Sequence, residues 1–245
     1  MLDRTSKYLT CLLASAALVS LGACGGDAAP GGDEMVVETL TPRDRLHSAA
    51  ATLSAAESFH FTLRLENRTI PLDALGMLTY SDVQGSVVAP DRMQAETLVR
   101  TPLGNTQVAL IAIGDQKWIT NPLTRQWESA PPEAGGGVSG MFNPETGIGA
   151  MLVNMDDPQL ADEQPHGGAP AYRLSGRLPG SVLAAFAQDL LAVEQLDVLL
   201  VVTALDDRIR QIVVREPAGA NGPAPVWTFD LTDFDQPVSI EPPPS

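Results

Sequence analysis

The alternation of apolar and polar side chains divides the chain into a helix followed by a long series of strands. Thr41-Pro42-x-Asp44 supplies a hydroxyl N-cap, a proline in the first turn and an acid at the third helical position. Leu46, Ala50 and Leu53 then recur at helical spacing, which predicts a helix from Pro42 to Ala56. Directly after it Phe59, Phe61, Leu63 and Leu65 alternate with His60, Thr62, Arg64 and Glu66, the period of two that marks a half-buried strand. Further strands are predicted over Met77–Ala89, Arg92–Thr101, Thr106–Ile113, Gln116–Thr120 and Gln126–Ser129. Pro90-Asp91, Leu103-Gly104-Asn105, Gly114-Asp115 and Asn121-Pro122 separate them at hairpin spacing, so the pairing is antiparallel.

The second half repeats the theme with two insertions. Pro131–Asn143 carries Gly135, Gly136, Gly137 and Gly140 and reads as a loop and candidate lid. Asn143-Pro144 then opens a short apolar helix around Gly147–Asn154, weakened by Gly147 and Gly149. Leu160–Gln164 and Ala171–Leu178 form a hairpin around His166-Gly167-Gly168, and Ser181 caps a helix running to Ala192. Leu196–Ala204, Ile209–Glu216 and Val226–Phe234 are the closing strands, the first two joined by a tight Asp206-Asp207 turn. About eleven strands and three helices without βαβ alternation predict an α+β fold: one large curved antiparallel sheet with helices packed against one face.

The first residues belong to a different class of segment. Arg4 and Lys7 precede an apolar run from Tyr8 to Val19, and Leu21-Gly22-Ala23-Cys24 follows. This predicts a secretory signal over residues 1–23 and a lipidated Cys24, because small side chains before a cysteine suit a lipoprotein signal peptidase. Residues 24–41, rich in Gly, Asp and Glu, cannot bury enough surface to fold and read as a tether. Such a chain has an end-to-end distance on the order of 20 Å. The folded domain is expected over residues 42–240, with a proline-rich tail at 241–245, on the extracytoplasmic side of a cell membrane.

Composition removes several functions. Hydrophobic residues make up 44% and charged residues 18% of the 245, too apolar for a disordered chain. Fifteen cationic against thirty acidic side chains give a net charge of −15, a poor basis for neutralising nucleic-acid phosphates. The two cysteines are Cys11, in the signal, and Cys24, so no disulfide, CxxC or thiolate metal site is expected in the mature domain.

Catalytic patterns are not apparent. His47, His60 and His166 have no metal-ligand spacing, Ser139 lacks the second glycine of a nucleophile elbow, and no phosphate-binding GxxxxGK[ST] occurs. The acid pairs Asp156-Asp157, Asp162-Glu163 and Asp206-Asp207 read as solvated turns. Asn67-Arg68-Thr69 is a formal glycosylation sequon that the lipoprotein signal makes irrelevant. The expectation is a protein without enzymatic activity or cofactor.

A set of apolar residues remains: Phe61, Leu63, Leu65, Leu78, Tyr80, Val88, Met93, Val108, Leu110, Trp118, Ile148, Met151, Leu152, Leu200, Val202 and Trp227. These either fill a core or line a cavity on the concave face of the sheet. Their aliphatic and Met-rich character suits flexible acyl chains.

Ala49–Leu65 (AAATLSAAESFHFTLRL), Gly85–Met93 (GSVVAPDRM), Ile111–Thr120 (IAIGDQKWIT) leading to Trp127, Tyr172–Gly176 (YRLSG) and Phe229–Pro242 (FDLTDFDQPVSIEP) carry a resemblance, in their order behind Cys24. The chain resembles the LppX/LprG-type bacterial lipoproteins, which are similar in fold to the LolA carriers. The resemblance implies a half-barrel sheet with helices in its mouth, and a protein that binds acylated lipid or glycolipid in a hydrophobic cavity and carries it within the cell envelope. The glycine-rich loop at 135–140 departs from that pattern. The alternative from another class is a non-enzymatic envelope interaction or sensor module with a filled core.

Overall fold

The computed structural model describes residues 40–72, 75–130, 147–183, 193–219 and 222–244. The expected signal, Cys24 and most of the tether, the Pro131–Asn143 loop and most of the Ser181–Ala192 helix lie outside the described residues. The helix α1 (Pro42–Ser54) is closed by a reciprocal capping box. Thr41 Oγ1 accepts the Asp44 amide at 3.2 Å and the Asp44 carboxylate accepts the Thr41 amide at 3.1 Å. The Thr41 hydroxyl and amide bonds hold the Asp44 carboxyl below its usual range.

The strands follow as β1 (Ser58–Glu66), β2 (Ile70–Pro71), β3 (Thr79–Tyr80), β4 (Asp82–Val88), β5 (Arg92–Thr101), β6 (Gly104–Ile113), β7 (Gln116–Thr120) and β8 (Trp127–Ser129). After α2 (Ile148–Val153) come β9 (Asp156–Glu163), β10 (Ala171–Pro179), a single turn α3 (Gly180–Leu183), β11 (Gln195–Thr203), β12 (Ile209–Arg215) and β13 (Val226–Thr232). Eleven of them form one antiparallel path, β8-β7-β6-β5-β4-β1-β13-β12-β11-β10-β9, with β2 and β3 as a flap beside β5. The fold is α+β, one large curved antiparallel sheet with helices packed on one face.

Two expected boundaries differ. The predicted Met77–Ala89 strand is broken at Ser81: its carbonyl still accepts the Leu65 amide at 2.8 Å, in register with the β1–β4 ladder, but the residues before it form β3, which pairs instead with β2 and β5. Asp156-Asp157, expected as a solvated turn, instead begins β9: Asp156 pairs with Arg177, and Asp157 takes a φ of +49° at a register shift. Both features depend on tertiary partners that local composition does not report.

The inner face of the sheet is defined by the core. Across the ladder, Val108, Thr97, Val83, Leu63, Phe229, Ile212, Leu200 and Leu174 fall in one row. Helix α1 covers part of that face with Leu46, Ala49, Ala50 and Leu53, all buried. It is held to the sheet at the turn after β11. There Ser48 Oγ donates to Asp207 at 2.6 Å, Tyr172 Oη donates to the same carboxylate at 2.9 Å, and the Arg45 guanidinium lies 4.7 Å above the Tyr172 ring. Burial and the Asp207 carboxylate push the Tyr172 hydroxyl well above its usual pKa.

The α2 helix lies on α1. A Cβ on Gly149 would stand 2.1 Å from Ser54 Oγ and 2.7 Å from the Ala50 carbonyl oxygen, so glycine is what lets the two helices touch. Arg43 completes the junction by donating to the Val153 and Met155 carbonyls, both at 3.1 Å. The glycine that lowers helix propensity is therefore the packing residue. Gly149→Val should lower stability by about 1–3 kcal/mol through overpacking against α1. Thermal unfolding checks this, and an unchanged midpoint would contradict the contact.

At the other end of the sheet a buried polar contact fixes the inner face. Glu216, with a side chain only 5% exposed, accepts from Arg68 Nη1 at 2.8 Å and from the Trp227 indole at 2.9 Å. The pair fastens the bend after β1 to the end of β12 and sets the Trp227 ring inward.

Candidate functional site

Register sorts the sixteen cavity candidates. Phe61, Leu63, Leu65, Met93, Val108, Leu110, Leu200, Val202 and Trp227 share the inner face. Val88 does not: it pairs with Ser58 and Arg92, one step out of phase with buried Val87. Trp118 also lies on the outer face, opposite Ile111 and Ser129, while its neighbours Lys117 and Ile119 take the inner positions. A shift of one residue reverses a strand's facing: the alternation of Val83, Gly85 and Val87 against Asp82, Gln84 and Ser86 carries Val88 outward, whereas Gln116–Thr120 has polar and apolar residues on both faces and takes its phase only from its partners. Tyr80, half-buried, shares its face with Ile70, which packs against the core, and half-buried Leu78 closes the same hairpin by accepting the Leu72 amide at 2.7 Å.

The inner-face residues fall into two groups by burial. Leu65, Met93, Val108, Leu200, Val202 and Trp227 are buried, as are Met151 and Leu152 of α2, and nearly all belong to the continuous hydrophobic core beneath the helices. Phe61, Leu63, Leu110 and Ile148 are only half-buried. They are joined by Phe229 and Ile70, also half-buried and packed against the core, which the sequence reading did not select. Phe229 was recoverable from the Trp227, Phe229, Leu231 alternation of its strand. Ile70 sits in a two-residue strand with no period of its own.

The ladder connects four of these half-covered residues, Phe61, Leu63, Phe229 and Leu110. Leu63 lies directly opposite Phe229 on one side and Val83 on the other. The Phe61 row continues through Gly85 and Ala95 to Leu110 and Ile119. Gly85 is required there, because a Cβ would meet the Gln94 carbonyl oxygen at 2.2 Å and the Phe61 ring at 3.0 Å. The middle of the inner face is thus an apolar strip, incompletely covered by the described residues.

The outer face differs in chemistry. Two grooves on it are lined by Thr62, Arg64, Asp82, Gln84, Glu96 and Gln107 with Leu63, Val83 and Leu98, and by Asp157, Gln159, Ser175, Arg177, Asp197 and Arg215 with Val198 and Leu199. Among the described residues no three His, Cys, Asp or Glu side chains converge on a metal-sized site.

An antiparallel sheet of this order, with its helices gathered over one apolar face, is shared with known proteins. The LppX_LprAFG lipoprotein profile matches residues 41–240. The chain belongs to the LppX_LprAFG lipoprotein family. Among solved structures, LprF from Mycobacterium bovis is similar over 83% of this chain and 97% of its own, with a TM-score of 0.65 and 14% identity. The Mycobacterium tuberculosis lipoprotein LppX is similar over 82% of this chain and 98% of its own, with a TM-score of 0.58 and 13% identity. At these identities the likeness is one of fold. Among curated proteins none matches the sequence. The family is known for lipid and lipoprotein binding and transport in the envelope, and its members are typically anchored to the membrane on its extracytoplasmic side.

Proposed function

We propose that this protein binds acylated lipid or glycolipid against the half-covered strip of its inner face and carries it within the envelope, tethered to the membrane through Cys24. The observation that supports the reading is the run of apolar inner-face residues Phe61, Leu63, Phe229 and Leu110, incompletely covered by the described residues, in a member of a family known for lipid binding and transport. Moving one CH₂ from water to apolar surroundings is worth about 0.8 kcal/mol, so a sixteen-carbon chain gains roughly 13 kcal/mol on leaving water. Leaving a bilayer for an apolar strip gains much less, since both surroundings are apolar. Transfer between membrane and protein is then close to neutral and needs no nucleotide.

The test is lipid extraction and mass spectrometry of a soluble form beginning at Gly25. One or more long-chain lipids per folded molecule are expected, and Leu63→Asp with Phe229→Ser should remove them. Absence of stoichiometric lipid, with no uptake of added lipid, would favour the second reading, an envelope interaction or sensor module. That reading draws on a specific feature, the close burial of Met93, Leu152, Leu200, Val202 and Trp227 in one continuous core.

The anchor has its own test. Cys24→Ala should move the protein from the membrane pellet to the soluble or secreted fraction. Retention in a carbonate-washed pellet would show that Cys24 is not what holds it.

A further inference from the structure

Nine large hydrophobic side chains stand exposed among the described residues, and six of them gather at one end of the sheet: Leu72, Leu75, Met77, Leu98, Leu103 and Leu123. Leu103 is 94% exposed, and Leu75 and Leu123 are each 78% exposed. The register explains the gathering. Thr79 of the β2–β3 flap pairs with Arg100, two residues before the turn that carries Leu103. Thr106, just after that turn, donates through its hydroxyl to the Pro122 carbonyl at 3.4 Å, which sets the β7–β8 turn alongside. Three hairpin tips therefore form one rim.

The tips hold their leucines outward by design of the turns. Thr101 Oγ1 accepts the Leu103 amide at 3.1 Å and donates to the Gly104 carbonyl at 2.8 Å. The Asn121 side chain accepts the Leu123 and Thr124 amides at 2.9 and 3.1 Å, an Asx turn. The Leu72 amide bonds to the Leu78 carbonyl and closes the flap. The β5–β6 and β7–β8 turns are thus held protrusions with leucines at their tips, beside the exposed Leu72, Leu75 and Met77 of the flap.

Charge selects the partner. In a chain of net charge −15, the rim carries Arg100 and Arg125, both exposed and neither ion-paired with any described residue. Other basic residues near this end, Arg64 and Arg68, face Asp82 and Glu216. Apolar apices that project separately, with uncompensated guanidiniums at their bases, match the interface of an anionic bilayer, where leucines enter the acyl boundary and arginines meet phosphates. Ile70 and Tyr80 continue the same flap from the tip back onto the inner face.

We propose that this rim docks the domain on an anionic membrane surface, presenting the end of the sheet to the bilayer while the domain stays outside it. The proposal extends the carrier reading by naming where lipid is exchanged, and it is tested apart from lipid load.

The soluble form beginning at Gly25 is floated with phosphatidylcholine vesicles containing phosphatidylglycerol and with phosphatidylcholine vesicles alone. The wild type should float with the anionic vesicles, and less so at high salt. Leu103→Ser with Leu123→Ser should weaken binding about tenfold or more, with an unchanged thermal midpoint because both side chains are exposed. Arg100→Gln with Arg125→Gln should remove the preference for anionic vesicles. Lipid carried per molecule, measured in parallel, should not change in either double variant; its loss in the wild type would count against the carrier reading and not against docking. A wild type that floats with neither vesicle, leucine variants that bind like wild type, or a dimer dissolved by the leucine changes without vesicle binding would each overturn the proposal.

Discussion

Arg68→Ala should lower the thermal midpoint of the domain by roughly 6–12 °C, which is about 3 kcal/mol for a domain of this size. Removing the guanidinium leaves Glu216 with a side chain 5% exposed, and only the Trp227 indole to compensate its charge. Breaking a buried pair costs about 3–5 kcal/mol because the remaining charge is stranded; the lower end applies since Arg68 itself stays 30% exposed and water reaches the site. A double-mutant cycle separates the pair from side effects. Arg68→Ala combined with Glu216→Gln should be clearly less destabilised than the two single changes added together, because the stranded charge is gone while the indole keeps an acceptor. Additive losses would mean that the two side chains act independently. The contact also orients Trp227, so Arg68→Ala should disturb the adjoining inner-face strip and shift the indole fluorescence.

Gly85→Ala should be comparably damaging although it adds one methyl group. Two of the three atoms that a Cβ would meet belong to the backbone of β5, Gln94 O at 2.2 Å and Ala95 Cα at 2.9 Å. Backbone held in a ladder on both sides cannot rotate out of the way as a side chain would. The expected loss is about 3 kcal/mol, the upper end of the range for overpacking. The third atom is Phe61 Cε1 at 3.0 Å, so the variant should also displace the ring at the centre of the strip and weaken lipid binding. Gly219→Ala is the matched control: nothing lies within 4 Å of its Cβ position, and its change should fall within about 0.5 kcal/mol. Equal midpoints for the two variants would remove the argument for a close approach at Gly85.

Much of the element order was legible because each element carries its own periodicity. The α1 capping box, the alternation of β1 and the hairpin turns between β5, β6 and β7 are written in neighbouring residues, and they appear with the expected boundaries to within two residues. The strip was legible where alternation was clean, as at Phe61, Leu63 and Leu110. It failed at Val88, which the alternation of Val83, Gly85 and Val87 against Asp82, Gln84 and Ser86 already sets on the outer face, and at Trp118, whose strand mixes polar and apolar residues on both faces so that the phase had to come from a partner strand. Leu152, left by the sequence as either core or cavity lining, is packed among buried residues, because the Gly149 contact draws α2 down on α1.

The sequence by itself determined the local vocabulary: where strands start and turn, that their pairing is antiparallel, and that one apolar face needs helices over it. Such properties arise from interactions within a few residues, where side-chain size, turn chemistry and period leave little choice. The tertiary structure alone decided that β13, the last strand, pairs with β1 at the middle of the sheet. It likewise decided that Glu216 meets Arg68 and that three distant hairpin tips share one rim. Residues so far apart in the chain are matched by the closing of the whole sheet, in which every strand's register is set by its neighbours, and no local pattern records that outcome.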